Sequence, residues 1–316
     1  MVGASQLREV RFVELQKKLF YHFEKGDFER SLEIIQTAHS EFPDRIDKTS
    51  FWKCCLLSVQ GDLEGAVAEL QYALNKNYWW NPQLLLQYPD LKPLYHHRSF
   101  KNIVEECQCI LEREREKEKA SAKIMTIGNT KATSKLLILH WRGSNIKDFS
   151  PFWLERDDIT HYSFTFLQSS QLFGYNSYCW DDSAIARCDL QQSIEKMDHN
   201  ENPVIIGGAS QGAALAIEHA LLQELYTFKG FIAVVPAIKD INRFEDILKN
   251  QRPNNMKGFI ITGKKDHYVE ATKKFCSLLE RYHLPFKLVE IKGLGHFFPD
   301  NFQSLLREAI EYISKE

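Results

Sequence analysis

The sequence predicts an α/β fold, a mostly parallel sheet with helices on both faces, preceded by an all-helical region. Three observations predict it. A strand, a sharp turn and a helix are written into residues 203–220, Pro203-VIIGGASQGAALAIEH-Ala220. From residue 135 onward, short apolar runs alternate with stretches of helical spacing. Before residue 110 the apolar spacing is helical throughout, and a pattern repeats at a constant offset.

The 316 residues are enough for two domains, expected at 1–120 and 121–316. Hydrophobic content of 44% and charged content of 26% are those of an ordinary globular chain. The net charge of −2 implies no basic face, so nucleic acid is not the expected partner. The N-terminal MVGASQLREVRFVELQKK lacks a charged-then-apolar signal pattern, and no apolar run approaches a membrane span. Seven irregularly spaced cysteines favour free thiols in a reducing compartment, hence a cytoplasmic location. Cys107 and Cys109, two apart on a helix, face different ways, and no metal site is expected there.

Taken in order, Gly26-Asp27-Phe28-Glu29-Arg30-Ser31-Leu32 is followed by Ile35 and Ala38, and Gly61-Asp62-Leu63-Glu64-Gly65-Ala66-Val67 by Leu70 and Ala73. Matching positions lie 35 residues apart, since 61 − 26, 70 − 35 and 73 − 38 all give that value. The pattern resembles the tetratricopeptide repeat, a helix-turn-helix unit of about 34 residues. Pro43 stands where that family places its helix-ending proline, while the first-helix tryptophan pattern is weak. Two units are fewer than a free-standing solenoid needs, so packing on the next domain, self-association or a protein partner is expected. Trp79 to Phe100 reads as a capping or docking segment, residues 99–120 as one helix ending in a mixed-sign charge run, and 123–127 as an edge strand. Strands are expected over 136–139, 162–167, 204–206, 231–235, 259–261 and 286–291. Helices are expected near 183–197, 213–225, 241–249, 270–282 and 301–314.

Gly208-Ala-Ser-Gln-Gly212 matches G-x-S-x-G, a nucleophile elbow. The turn would lift the Ser210 hydroxyl clear of the sheet and place the Gln211 N–H at a helix start, aimed at a developing oxyanion. A serine hydroxyl needs a histidine base, and the histidine a carboxylate that fixes its tautomer. Past the next strands, Phe259-Ile-Ile-Thr-Gly-Lys-Lys-Asp266 supplies Asp266, and Ile291-Lys-Gly-Leu-Gly-His296 supplies His296. Both would sit with Ser210 on the carboxyl-end rim, where open α/β sheets bind ligands. Asp240 is the substitute acid; His219, His267 and His283 are the other histidines weighed.

Leu136–Ile138, His140-Trp141-Arg142-Gly143-Ser144, the elbow, Gly263-Lys-Lys-Asp266 and Gly293-Leu-Gly-His296-Phe-Phe-Pro299 occur in that order. Together, over residues 121–316, they resemble the carboxylesterase, lysophospholipase and dienelactone-hydrolase group of serine α/β-hydrolases. The resemblance implies that Ser210, Asp266 and His296 are the catalytic triad of an ester or thioester hydrolase acting on a small-molecule ester, with no metal or organic cofactor. It implies the Arg142 N–H as second oxyanion donor beside Gln211. Trp141 stands where that group has glycine. It is expected to fold outward as a wall of the acyl pocket, or else to occlude the site until moved. Trp180-Asp181 resembles a Trp/Asp element beside the active site, which makes Trp180 a substrate-binding candidate; core and helix-cap packing is the alternative. A peptidase of the same fold and a catalytically decayed scaffold that binds a partner through its repeats are the competing functions.

Overall fold

A computed structural model describes residues 4–117, 121–129, 131–155, 158–197, 204–251 and 256–315. Residue 120, where the first domain is expected to end, and Pro203 lie outside these. Two compact units result: Met1–Lys119 with Phe173–Ser177, and Ala120–Leu172 with Tyr178–Glu316.

The first unit is helical: α1 (Ala4–Glu24), α2 (Phe28–Glu41), α3 (Ile46–Gln60), α4 (Leu63–Leu74), α5 (Pro82–Gln87) and α6 (Arg98–Lys117). The 35-residue repeat falls on α2 and α4. Each is entered through a left-handed glycine, Gly26 (φ 73°) or Gly61 (φ 84°), and an aspartate cap. Asp27 Oδ1 accepts from Arg30 N–H at 3.3 Å and Asp62 Oδ1 from Gly65 N–H at 2.9 Å, which satisfies a first-turn amide in each helix. The repeated apolar positions, Ile35 with Leu70 and Ala38 with Ala73, are all buried. Of the expected thiols, Cys107 is buried and Cys109 exposed, on different faces of α6. The hairpin tip Phe173–Ser177 packs in this unit, where Asn81 Nδ2 donates to the Phe173 carbonyl oxygen at 2.7 Å.

The second unit holds β1 (Lys123–Gly128), β2 (Lys135–Leu139), α7 (Ile146–Phe149), α8 (Asp158–His161) and β3 (Ser163–Gln168). A two-stranded hairpin follows, β4 (Gln171–Gly174) with β5 (Ser177–Cys179). Then come α9 (Ser183–Glu195), β6 (Val204–Ala209), α10 (Gln211–Leu222), β7 (Gly230–Val234), α11 (Ile241–Asn250), β8 (Lys257–Gly263), α12 (Val269–Arg281), β9 (Phe286–Ile291) and α13 (Phe302–Ser314). The seven-stranded sheet has the order β1-β3-β2-β6-β7-β8-β9. Only β1 runs antiparallel, against β3. The strands β2, β6 and β7 are buried along their whole length, which is why they read as unbroken apolar runs.

From β2 the chain adds β3 on one side, then crosses to β6 on the other. Winding therefore reverses between β2 and β6, and in open α/β sheets such a switch point is where ligands bind beyond the carboxyl ends of the strands. The loops leaving those two strands carry His140-Trp141-Arg142 and Ser210. The hairpin and the single-turn helices α7 and α8 have no counterpart in the sequence reading. Among the described residues no helix is long and apolar enough to cross a membrane.

Candidate active site

Ser210 joins β6 to α10 with φ 53° and ψ −117°, in the left-handed half of backbone space. Such a conformation costs a non-glycine residue about 1–3 kcal/mol and persists only where the surroundings over-determine it. Here Ser210 N–H donates to the Val234 carbonyl at 2.9 Å, and the Ser210 carbonyl accepts from Ala237 N–H at 3.1 Å. Both bonds tie the turn to the end of β7. A Cβ on Gly212 would lie 2.4 Å from the carbonyl oxygens of Leu139 and His140, so only glycine lets the first turn of α10 rest on the end of β2.

The Ser210 hydroxyl does not cap its own helix. Its Oγ lies 2.7 Å from His296 Nε2. His296 Nδ1 lies 2.9 and 3.0 Å from the two carboxylate oxygens of Asp266. A Cβ on Gly263, at the end of β8, would fall 2.0 Å from the Leu294 carbonyl oxygen. That close approach lets the Asp266 turn and the His296 loop share backbone bonds, Lys264 N–H to Ile291 O and Lys265 N–H to Leu294 O, both 3.0 Å. The Asp266 side chain is fully buried, and its Oδ1 also accepts from Tyr268 N–H at 2.8 Å. Burial alone would raise this carboxyl, but the bonds from His296 and the Tyr268 amide outweigh it and hold it below the usual carboxylate range. Asp266 is thus an acceptor only, and the proton between it and His296 sits on Nδ1. Nε2 is left as the acceptor facing the serine.

The other residues weighed take no part in the relay, although His267 lies beside it. Asp240 is exposed and caps α11, accepting from Asn242 N–H at 3.0 Å. His219 is buried in α10, and His283 is exposed past the end of α12. His267 is 67% exposed, its ring 4.7 Å from that of His296.

Gln211 is the first residue of α10, so its N–H has no carbonyl partner within the helix and lies at the positive end of the helix dipole. Its side chain is fixed by two bonds. Oε1 accepts from Trp180 N–H at 3.0 Å, and Nε2 donates to Asp181 Oδ1 at 2.8 Å. The same carboxylate takes a bidentate pair from Arg142, Nε to Oδ1 at 2.8 Å and Nη2 to Oδ2 at 2.7 Å. Burial pushes the Asp181 carboxyl up, but the bonds from Arg142 and Gln211 bring it down to about 2. One aspartate therefore clamps both residues expected to donate to the oxyanion. Sequence reasoning had no signal for this, because the partners lie 30 and 39 positions from Asp181.

Trp180 is 5% exposed, and its indole N–H donates to the His140 carbonyl at 2.8 Å. Its ring lies 4.8 Å from the imidazole of His140. The indole thus supports the loop after β2 and offers little surface to a substrate, which is the core-packing alternative rather than the substrate-binding one. His140 is itself buried. Its Nδ1 donates to the Trp141 carbonyl at 2.7 Å, and its Nε2 accepts from Ser169 N–H at 3.2 Å. Fixing the Trp141 carbonyl fixes the plane of the peptide that bears the Arg142 N–H.

Burial brings the His140 pKa down from 6.5 to about 4. Between those values the folded chain binds fewer protons than the unfolded one, so stability is full above pH 6.5 and falls as pH drops toward 4. The loss is on the order of 3 kcal/mol. Denaturant unfolding followed from pH 7 to 4.5 should show this slope, and His140→Gln should flatten it. An identical slope in the variant would contradict the assignment.

Trp141 is half-buried, with ring centroids 5.0 Å from Phe149 and Phe152, 5.7 Å from Phe298 and 6.2 Å from Phe297. Phe297 and Phe298 directly follow His296, so the indole links the loop after β2 to the histidine loop. The expected consequence of Trp141→Gly is therefore loss of activity on every ester together with lower thermal stability, since truncating a large packed aromatic costs about 3–5 kcal/mol. Undiminished turnover of short esters with new turnover of long ones would instead support Trp141 as a wall of the acyl pocket.

No protein-family model matches the chain, and no curated protein matches it. Among solved structures, the crystal structure of an uncharacterized protein from Bacillus cereus ATCC 10987 is 23% identical with a TM-score of 0.52, covering 96% of this chain and 99% of that one. A phospholipase/carboxylesterase from Dyadobacter fermentans DSM 18053 is 19% identical (TM-score 0.45) over 61% of this chain and 98% of its own. Esterase PE8 is 20% identical (TM-score 0.48) over 61% of this chain and 100% of its own. The strand order gives the architecture, a mostly parallel seven-stranded α/β sheet with an all-helical region ahead of it in the chain, and the Bacillus cereus protein is similar in fold over nearly the whole chain.

Proposed function

We propose that the chain is a serine hydrolase of carboxylic esters or thioesters. The observation that carries this reading is the unbroken relay from Ser210 Oγ through His296 to Asp266, with the serine held in a strained elbow. In this reading Ser210 Oγ attacks the acyl carbonyl while His296 Nε2 takes its proton. The imidazolium is stabilised by Asp266, which accepts from Nδ1 throughout. The negative charge that develops on the carbonyl oxygen is met by the N–H groups of Gln211 and Arg142. His296 then protonates the leaving alcohol or thiol, and the acyl group stays on Ser210. A water molecule, deprotonated by the same Nε2, attacks the acyl-enzyme and frees the acid. None of these steps calls for a cofactor.

The test is a panel of p-nitrophenyl esters from acetate to palmitate, acyl-CoA thioesters and aminoacyl p-nitroanilides. Ester or thioester turnover well above anilide turnover is expected. Preference for the anilides would move the reading to a peptidase, and inertness on every substrate would move it to a scaffold.

A further inference from the structure

We infer that the rim of this site is also an inhibitory zinc site, formed by Asp266, His267 and His296; the effect on catalysis rests on the triad reading above, but the site itself does not. Among the described residues this is the one group of histidine, cysteine and acidic side chains close enough together to hold a metal, with one ligand atom from each within 4.8 Å of the others. His296 Nδ1 lies 2.9 Å from Asp266 Oδ1, and His267 Nδ1 lies 3.8 Å from that same oxygen. Tetrahedral zinc with bonds of about 2.0–2.1 Å separates its ligand atoms by roughly 3.3 Å, between those two distances. Two imidazoles and a carboxylate form a common three-ligand zinc set that leaves the fourth position to water. Binding would open the His296–Asp266 pair by about 0.4 Å and draw the mostly exposed His267 in by about 0.5 Å.

The chemical consequence follows from the tautomer. Neutral imidazole carries one proton, and in the metal-free site that proton is on His296 Nδ1, facing Asp266. Zinc coordinated through the Nδ1 lone pair requires the proton on Nε2 instead. The proton moves from one nitrogen to the other, no proton leaves the ring, and the Asp266 carboxylate trades its hydrogen bond for a bond to the metal. Nε2–H then donates to Ser210 Oγ and cannot accept its proton. The serine remains in place and loses its base. His267 serves no step of the hydrolytic reading, so zinc held with its help would silence the base through one residue that the reaction does not use.

Two readouts test this. In the first, hydrolysis by the metal-free protein is titrated with Zn²⁺. Wild-type activity should fall in the micromolar range and return with EDTA. His267→Gln should retain the metal-free activity and need roughly 100-fold more Zn²⁺, because even the partners that support metal ligands are worth 10–100-fold in affinity. Equal inhibition of the two proteins would overturn the site. In the second, Co²⁺ is added to Ser210→Ala, and the visible band of tetrahedral cobalt is compared with that of Ser210→Ala/His267→Gln. Any contribution from the exposed thiols Cys109 and Cys188 cancels in the difference. A band that depends on His267 supports the site even if the protein hydrolyses nothing, in which case only the triad reading fails. No such band overturns the site whatever the activity.

Discussion

Ser210→Ala is expected to lower ester turnover by about 10⁴–10⁶-fold, the usual cost of losing the nucleophile from a triad that works as a unit. The fold should be unaffected. The Oγ makes its bond to His296 and caps nothing, and the backbone bonds that hold the elbow, to Val234 and from Ala237, do not involve the side chain. Alanine keeps the left-handed strain of residue 210, whereas glycine removes it. Ser210→Gly should therefore be equally inactive but more stable than Ser210→Ala, by about 1 kcal/mol. Steady-state kinetics and thermal melts of the three proteins check both statements. Ester hydrolysis retained in pure Ser210→Ala would end the assignment of the nucleophile.

Asp266→Asn is the second large effect. The asparagine amide can present its N–H₂ to His296 Nδ1, which then becomes the acceptor and moves the imidazole proton to Nε2. The ring would face Ser210 with the wrong nitrogen protonated, and kcat should fall by about 10⁴-fold with little change in KM. Asp240→Asn is the control. Asp240 is exposed and caps α11, and asparagine caps as well as aspartate, so activity and stability should both be retained. A loss confined to Asp240→Asn would transfer the role of the acid to that residue.

Much of this architecture is legible in the sequence because steric necessity writes it there. The turn at Ser210 needs a residue without a side chain where α10 meets the end of β2, and Gly212 records that contact. Parallel strands covered on both faces are mostly apolar, so β2, β6 and β7 stand out as apolar runs. Asp266 and His296 are singled out by position, each in the loop after a strand, and their side chains lie in hydrogen-bond reach of one another. The hairpin β4–β5 is not found, since strands of four and three residues are too short to show alternation. Nor is the clamp of Arg142 and Gln211 by Asp181, an arrangement that only the tertiary fold brings together. The orientation of Trp141 is likewise decided at long range. Phe149 and Phe152 come from the segment just after it and Phe297 and Phe298 from a loop more than a hundred residues away, so from sequence alone a large residue in a glycine position reads only as a pocket wall or an occluding ring.

The central claim is that Ser210 is a nucleophile activated by His296, and covalent capture addresses it most directly. Metal-free protein would be treated with a fluorophosphonate probe and digested, and the labelled peptide sequenced by mass spectrometry. The account predicts a single stoichiometric adduct on Ser210, abolished in Ser210→Ala and slowed severely in Asp266→Asn. A protein that stays unlabelled while folded, or one labelled at a different residue, would contradict it.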